Sequence, residues 1–405
     1  MRENMKKLAS SVLFCLAMLV TMSTAAYAAN EKENNNSYNK ANTLTADASI
    51  KGIISSSSDV DFYQYTVAKS GYFDFYIKDV DCKNPNLYIT IYNSNLKEIA
   101  TSYTDEFKNG NKLRILQRWN FAKGTKLYIK IEPYYYNLYN TYGTYELSVK
   151  ETANSSWEQE NGKNDTKKNP TKLSSNKKKY GTLTNNEDID FYKYKVDITG
   201  HFEITVTNED SANARWKIQI YDSKWNEIDE YTLNSDSEYA ATSMDYNFKK
   251  GTTVYVKISD DSYYGSDTVA GDVYSIKVTA KKSSNYESEG NNKYSQATKL
   301  TKGKKVTANL YVNNDKDYYV YKATKKGTTK VGFYVDVDDE SVGNGWKAVV
   351  YDSSKKKVKT ISNIKSDTTF SFKTAKNKNY YIVISAQATY SSGYPTGIPY
   401  AVKVK

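Results

Sequence analysis

The sequence predicts an all-β protein made of three tandem antiparallel β-sandwich domains. One reason is a repeated phrase, Asp-x-Asp followed by two aromatic residues, that begins at Asp59, Asp188 and Asp315, 129 and 127 residues apart. This spacing is too long for a solenoid unit and fits a complete small domain. The other reason is an alternation of apolar and polar residues with a period of two, typical of half-buried strands. With no sustained helical period, sandwiches are the expected architecture.

The predicted strands recur in the same order in each repeat. A first strand is followed by an Asn/Asp/Ser turn, a second strand comes later, and a final apolar alternation closes the repeat; these three strands lie at residues 87–92, 127–131 and 145–149, then at 216–221, 254–258 and 274–278, then at 346–351, 380–384 and 400–404. Helix is expected only in short turns near the start of a repeat, around Ala41. Tyr145, Tyr274 and Tyr400 are in phase with the core residues of the last strand.

The N-terminus reads as a signal peptide, residues 1–28. Arg2, Lys6 and Lys7 precede an apolar run at 13–20, and Ala26-Tyr27-Ala28 fits the small-x-small cleavage pattern. The run is short for a membrane span, although a retained anchor is the alternative. The predicted domains are residues 29–153, 154–283 and 284–405, with polar linkers at 151–156 and 281–285.

Cysteine usage and charge restrict the function classes. Cys82 is the only cysteine outside the signal peptide, so neither an intrachain disulfide nor a cysteine zinc site is expected. The net charge is +11, with lysine runs that could contact an anionic glycopolymer. Alternatively, these lysines decorate turns and strand edges and oppose aggregation. Nucleic acid is not an expected partner, since the chain has a signal peptide and no recognition motif.

These features together resemble the bacterial pre-peptidase C-terminal domain, whose relatives include the collagen-binding domains of clostridial collagenases. The ordered set is Glu-x-Glu with Asn/Asp, the Asp-x-Asp-aromatic phrase and a final Tyr-x-apolar-x-Val strand, once per repeat. The resemblance implies jelly-roll-like sandwiches that accompany secreted peptidases without being catalytic.

The resemblance also implies Ca²⁺, which the family's collagen-binding members bind. Calcium takes six to eight hard oxygen ligands. The alternative is that the same groups cap turns without a metal. The candidate ligands, in order through the three repeats, are Glu31, Glu33, Asn35, Asn36, Asp59 and Asp61; Glu158, Glu160, Asn164, Asp165, Asp188 and Asp190; Glu287, Glu289, Asn291, Asn292, Asp315 and Asp317.

Catalysis is not expected. The chain has a single histidine, His201, so a two-histidine zinc helix cannot form. A serine triad would depend on His201 alone, and its position after Gly200 at a strand start suggests a surface or edge residue. Carboxylate pairs such as Asp59 and Asp61 could serve a glycosidase, but their threefold repetition favours a different role.

The chain has 40 tyrosines against 12 phenylalanines. Tyrosine offers a rigid apolar face and a hydroxyl at low entropic cost, which suits recognition of fibrous or glycan partners. Some tyrosines face away from the predicted core, and others fall in the irregular segment before the last strand; the alternative is that they merely fill a secreted β protein. The candidate polymer-binding residues are Tyr128, Tyr134, Tyr135, Tyr136, Tyr255, Tyr263, Tyr264, Tyr381, Tyr390 and Tyr394.

The expected function is therefore adhesion of a secreted, non-catalytic protein to an extracellular polymer such as collagen or another matrix component. One alternative is retention on the cell envelope or exopolysaccharide through basic surfaces, with a strong salt dependence. Another is an accessory, propeptide-like partner of a secreted peptidase.

Overall fold

The computed structural model describes residues 28–81, 86–104, 112–121, 123–134, 142–158, 164–183, 187–209, 214–234, 239–261, 272–335, 342–387 and 395–405. The chain forms two compact units, residues 1–153 and 154–405. The first unit contains one β-sandwich and the second contains two, each with a hydrophobic core of its own. The predicted fold class, three tandem sandwiches, is confirmed.

The first repeat packs two five-stranded sheets. The back sheet has the order β1-β3-β10-β5-β8, and the front sheet has the order β2-β4-β9-β6-β7. A 3₁₀ turn, Tyr38–Lys40, precedes β2. The strands are β1 (Ala29–Asn30), β2 (Asn42–Leu44), β3 (Ser49–Ile54), β4 (Asp61–Thr66), β5 (Gly71–Asp79), β6 (Leu87–Tyr92), β7 (Glu98–Tyr103), β8 (Lys112–Trp119), β9 (Lys126–Pro133) and β10 (Gly143–Ala153).

The second repeat has the same plan. Its back sheet is β12-β19-β14-β17 and its front sheet is β11-β13-β18-β15-β16. The strands are β11 (Thr171–Leu173), β12 (Lys178–Thr182), β13 (Ile189–Lys195), β14 (Gly200–Asn208), β15 (Arg215–Tyr221), β16 (Glu227–Asn234), β17 (Ala240–Thr242), β18 (Thr253–Asp260) and β19 (Val273–Lys282).

The third repeat follows, with a 3₁₀ turn at Tyr294–Gln296. Its back sheet is β21-β28-β23-β26 and its front sheet is β20-β22-β27-β24-β25. The strands are β20 (Thr298–Lys299), β21 (Lys305–Ala308), β22 (Lys316–Lys322), β23 (Gly327–Val335), β24 (Trp346–Tyr351), β25 (Lys357–Ile364), β26 (Thr368–Thr374), β27 (Asn379–Ala386) and β28 (Tyr400–Val404).

The period-two alternation positions the core of each sandwich. In β9, Leu127, Ile129 and Ile131 are fully buried, while Tyr128 between them points away from the core. The core of the first repeat combines such residues with Phe73 and Phe75 of the back sheet. Burying these side chains removes apolar surface from water, which is the main stabilising contribution to a sandwich.

The structure departs from the sequence prediction in two places. Short parallel strands (β2, β11 and β20) join the front-sheet edges after the opening turn of each repeat, beside otherwise antiparallel sheets. The predicted linkers are also shorter than expected. Strand β10 continues to Ala153, with Glu151 buried, and strand β19 includes Lys281 and Lys282. Because the residues at these strand ends are polar, the sequence pattern does not indicate that the strands continue.

The expectation that helix is confined to short opening turns agrees with the 3₁₀ turns at Tyr38–Lys40 and Tyr294–Gln296. Within the described ranges, none of the helices has the length and apolar character that crossing a membrane requires. The predicted signal peptide lies outside the described residues, apart from Ala28.

Candidate cation sites and aromatic faces

In the first repeat, the acidic loop folds onto the start of β4. The backbone N–H of Phe62 donates to the carbonyl of Asn35 (3.0 Å), and Asn35 Nδ2 donates to Glu31 Oε2 (3.1 Å). These bonds bring Glu33, Asp59 and Asp61 together, with one carboxylate oxygen of each within 4.8 Å of the others. Asn36, also predicted here, is exposed.

A pair of buried tyrosines lies beneath each acidic loop. The pairing explains why the tyrosine that ends the Asp-x-Asp-aromatic phrase and the tyrosine of the last strand both recur in every repeat. Tyr63 OH and Tyr145 OH lie 2.7 Å apart. Tyr63 donates to Glu31 and Tyr145 donates to Asp61, and each of these hydrogen bonds is 2.6 Å long. The same hydroxyl pair forms between Tyr192 and Tyr274 (2.6 Å) and between Tyr319 and Tyr400 (2.9 Å). The two sheets of each sandwich are thus joined under the carboxylates.

The acidic loop of the third repeat holds a carboxylate cluster whose three members are all buried. Glu287, Glu289 and Asp317 are all buried and place one oxygen each within 4.8 Å of one another. Asn291 Nδ2 donates to Glu287 Oε2 over 2.7 Å. Asp315 is buried nearby, where it accepts from Asn292 Nδ2 (3.1 Å) and from backbone N–H groups.

The electrostatics of these loops fit a cation. Burial raises the pKa of Asp61 to about 8, with the charge of Glu31 adding to the effect, and it raises the pKa of Glu287 to about 8, with Glu289 adding. Burial likewise raises the pKa of Asp317. Clustered carboxylates without a counterion favour protonation, whereas a divalent cation would stabilise their charged forms.

Several buried oxygens of these loops have no hydrogen-bond partner among the described residues. In the third repeat these are Asn291 Oδ1, Asp317 Oδ1 and both carboxylate oxygens of Glu289; in the first repeat they are Asn35 Oδ1 and Asp61 Oδ1. Leaving a buried acceptor unsatisfied costs about 1–3 kcal/mol. Carboxylate and amide oxygens are the ligand types that calcium prefers, so the donor set fits calcium in the first and third repeats.

The second repeat is arranged differently. Asn164 Nδ2 contacts both Glu158 Oε2 (3.1 Å) and Asp190 Oδ1 (2.6 Å), so an amide bridges two carboxylates. Asp188 is buried, and burial raises the pKa of Asp165 with the charge of Asp188 adding to it. Glu160 lies outside the described residues. Asn164 Oδ1 and Asp165 Oδ1 also lack a hydrogen-bond partner among the described residues, but here the described part of the loop does not bring three carboxylates within 4.8 Å of one another.

Three of the predicted polymer-binding tyrosines occupy equivalent front-sheet positions. Tyr128, Tyr255 and Tyr381 are half-buried on the outward face, each between buried core residues. Tyr134 is described as well; Tyr135, Tyr136, Tyr263, Tyr264, Tyr390 and Tyr394 lie outside the described residues.

The first repeat carries a stack of three tyrosine rings on this face. The ring of Tyr134 stacks against Tyr103 (centroids 5.6 Å apart, planes at 11°) and against Tyr88 (6.1 Å, 24°). Tyr103 is 52% exposed. At the other end of β9, Tyr38 meets the edge of Tyr128 at 6.1 Å, and Tyr38 is 42% exposed.

In the other two repeats a cation–π pair covers the equivalent tyrosine. Trp225, in a hairpin turn, stacks on Tyr255 at 4.0 Å, and Lys167 Nζ lies 4.7 Å from the Trp225 ring. In the third repeat Tyr294 packs edge-on against Tyr381 at 4.9 Å, and the hairpin-turn Lys355 lies 5.1 Å from the Tyr294 ring. The lysine thus lies in the opening turn of the second repeat but in the hairpin turn of the third, and the aromatic residue has the opposite placement.

Sequence reasoning missed part of these faces and misjudged one residue. Tyr88 and Tyr103 share the outward alternation of Tyr128, and that phase could have identified them. His201 is not a surface or edge residue, because it lies on the internal strand β14 and stacks on Tyr286 (centroids 4.4 Å apart). Its Nδ1 lies 2.8 Å from Asp245 Oδ1.

The fold and these sites define a tandem β-sandwich protein with carboxylate loops and flat aromatic faces. No protein-family model matches the chain. The chain is 29% identical over 216 residues to Collagenase ColA of Clostridium perfringens, a match that covers 49% of this chain and 18% of the collagenase. The resemblance to the domains of bacterial collagenases, predicted from the sequence, is confirmed by this similarity.

Solved structures include similar chains. The pre-peptidase C-terminal domain of a collagenase from Bacillus anthracis is 25% identical, and the match covers 27% of this chain and 93% of that domain, with a TM-score of 0.21. Tandem CBM51 modules of a family 98 glycoside hydrolase from Streptococcus pneumoniae are 10% identical, with 55% of this chain and 81% of theirs covered and a TM-score of 0.19.

Proposed function

We propose that this chain is a secreted, non-catalytic binding protein that adheres to an extracellular polymer, with a collagen-like matrix as the leading candidate. The observation that carries the proposal is the stack of Tyr88, Tyr134 and Tyr103 on the outward face of the first repeat, where Tyr103 is exposed. Similarity to a clostridial collagenase supports a matrix partner.

The shape of this face suits an extended partner. Tyr128 and Tyr134 lie six residues apart along one strand and its end, which corresponds to about 20 Å. Between them, Lys130 Nζ and Glu132 Oε1 form an ion pair of 2.7 Å, so polar groups of both signs separate the two aromatic contacts. Aromatic side chains that are rigid before binding lose little entropy on contact, which favours them as anchors.

A pull-down with insoluble collagen, chitin and peptidoglycan tests the proposal. Tyr134→Ala removes the central ring of the stack and is expected to weaken collagen binding about tenfold or more, as loss of an interface hot spot does. Tyr239→Ala is the control, because Tyr239 is 76% exposed and belongs to the second repeat. Equal retention of these two variants on collagen would contradict the proposal.

The same proposal includes Ca²⁺ bound by the acidic loops. Glu33, Asp59 and Asp61 would hold it in the first repeat, and Glu287, Glu289 and Asp317 in the third. A bound calcium ion would neutralise the clustered carboxylates and so stabilise the loop against the sandwich. Support comes from the unsatisfied buried oxygens of both loops.

A groove in the second repeat favours one alternative partner, an anionic glycopolymer. The groove has a volume of about 580 Å³ and is lined by Lys168, Lys172, Lys179, Lys193 and Trp157. Burial lowers the pKa of Lys179, whose Nζ donates to the carbonyls of Ser155 and Trp157. Binding here would decline steeply between low and physiological salt, whereas binding through Tyr134 would not. Running the pull-down at two salt concentrations separates the two partners.

A further inference from the structure

The linker between the second and third repeats is fixed on both sides. The N–H of Ser283 donates to the carbonyl of Thr199 in the second repeat (3.1 Å), and the N–H of Thr307 donates to the carbonyl of Asn285 in the third (2.7 Å). Only Ser284 separates these two anchored residues. The two sandwiches are therefore held in direct contact rather than joined by a loose tether.

The junction buries both aromatic and polar groups. Tyr286 stacks on His201, and Phe248 meets Tyr311 edge-on at 5.4 Å. Asn309 Nδ2 of the third repeat donates to the backbone carbonyl of Asp245 in the second over 2.6 Å. This combination of ring contacts and directional hydrogen bonds defines a specific docking geometry.

Asn247 of the second repeat reaches the carboxylate loop of the third. The backbone carbonyl of Asn247 accepts from the backbone N–H of Glu289 (2.9 Å), and its side-chain Nδ2 donates to Glu287 Oε1 (3.3 Å). The residue has no exposed surface, and Asn247 Oδ1 has no hydrogen-bond partner among the described residues. Because Nδ2 and Oδ1 exchange places on an amide flip, Asn247 can present an oxygen to a cation that Glu287 also contacts.

The sandwich itself does not require this asparagine. The Asn-Phe pair at Asn247 and Phe248 also occurs in the first repeat at Asn120 and Phe121, but the matching positions of the third repeat are Lys373 and Thr374. A fully buried amide with an unsatisfied oxygen costs stability, and a cation beside Glu287 would offset this cost.

We propose that Asn247 completes the cation site of Glu287, Glu289 and Asp317, so that binding of a divalent cation and docking of the second repeat on the third are coupled. This inference rests on the cation binding proposed above. An ion held by oxygens from both sandwiches binds more tightly when they are docked, and by linkage it stabilises the docked arrangement by the same factor.

Hydrogen–deuterium exchange of the full chain, titrated with CaCl₂, tests the coupling. Calcium is expected to slow exchange in residues 287–292 and in residues 243–249 at the same concentration. The half-protecting calcium concentration is the one at which protection of residues 287–292 reaches half of its maximum. Asn247→Ala is expected to raise this concentration about tenfold, within the usual range of allosteric coupling. Asn120→Ala, the matched change in the first repeat, is expected to leave it unchanged.

Asn247→Asp supplies a second variant with an outcome of the opposite sign. The added carboxylate is expected to lower the half-protecting calcium concentration, since a charged ligand strengthens a calcium site. In EDTA the same variant is expected to speed exchange at the junction, because the new charge would face Glu287. A purely structural asparagine would not make calcium binding tighter in this variant.

The outcomes separate this inference from the function it depends on. Protection of 287–292 that titrates identically in the wild type, Asn247→Ala and Asn247→Asp would overturn the coupling while leaving cation binding intact. Absence of calcium-dependent protection in the acidic loops of both the first and the third repeats would overturn cation binding itself, and the coupling with it.

Discussion

At the scale of single residues, the hydroxyl pair under each acidic loop restricts its neighbours. Gly52 lies on β3 opposite Tyr145, and a Cβ at this position would stand 2.4 Å from the hydroxyls of both Tyr145 and Tyr63. Gly181 has the same relation to Tyr274 OH and to the carboxylate of Glu158, at 2.6 Å. Glycine at these two positions allows two buried tyrosines and a carboxylate to meet.

Gly52→Ala is expected to destabilise the first repeat by about 1–3 kcal/mol, the usual cost of overpacking a tight interior. Native-state hydrogen exchange of β3 and β10 measures this loss repeat by repeat. Lys51→Ala is the control, because the Lys51 side chain is half-buried on the other face of the strand. Unchanged exchange of β10 in Gly52→Ala would show that the tyrosine pair can move aside at no cost.

At the scale of elements, the hairpin turn and the opening turn of each repeat act together on the front sheet. Leu96, Trp225 and Lys355 occupy the same hairpin position, all with positive φ (60°, 67° and 62°). Tyr38, Lys167 and Tyr294 occupy the matching opening-turn position. Only the first repeat lacks a lysine at both positions, and there Leu96 is 38% exposed and Tyr38 42% exposed. These two positions of the first repeat therefore form no cation–π pair with each other.

Trp225→Ala is expected to destabilise the second repeat by about 1–2 kcal/mol, because it removes the stack on Tyr255 and the cation–π contact with Lys167. Exchange of β18 amides reports the loss. Leu96→Ala, the same turn position in the first repeat, is expected to change stability by about 0.5 kcal/mol or less, since exposed surface positions contribute little. Equal losses in both variants would contradict this account of the turn.

Strand identity and the direction of side chains were predictable from the sequence because alternation with a period of two is a local property. Because Tyr128 lies between the apolar residues Leu127 and Ile129, the alternation alone predicts that its ring faces outward. The contact of Lys167 with Trp225 was not predictable, because it joins turns 58 residues apart whose approach depends on the folded sheet.

The acidic loops illustrate the same limit. The resemblance to the pre-peptidase C-terminal domain named Glu287, Glu289 and Asp317 as candidates, and the structure brings one oxygen of each within 4.8 Å of the others. Asn247 could not, since it belongs to the preceding repeat and reaches the loop only through docking. A contact between two domains produces no periodic pattern in the sequence from which it could be predicted.

At the scale of the whole molecule, the three copies share a fold and differ in surface. The first repeat presents the tyrosine stack, the second presents the lysine groove, and the third contains a cluster of three buried carboxylates. Duplication followed by such divergence suits a binding protein, because linked modules that engage one polymer gain avidity over a single module.

The buried carboxylates make stability depend on pH in a way that calcium should abolish. The pKa of Glu287 and that of Asp61 are raised to about 8, and that of Asp315 to about 6, from values near 4 in an unfolded chain. Between about pH 4 and pH 8 the calcium-free folded state therefore binds more protons than the unfolded state. These groups are therefore expected to lower its free energy of unfolding as pH rises through this window.

With saturating calcium this dependence on pH is expected to disappear. The cation binds the ionised carboxylates of the folded state and displaces their protons, so between pH 5 and pH 8 neither the calcium-bound folded state nor the unfolded state titrates these groups. The stabilisation from calcium therefore grows with pH and offsets the loss seen in EDTA. Chemical denaturation at pH 5, 6.5 and 8, in EDTA and in CaCl₂, measures both slopes. Asp317→Asn removes one carboxylate and should flatten the slope in EDTA for the third repeat. Parallel pH profiles with and without calcium would mean that these loops only cap turns.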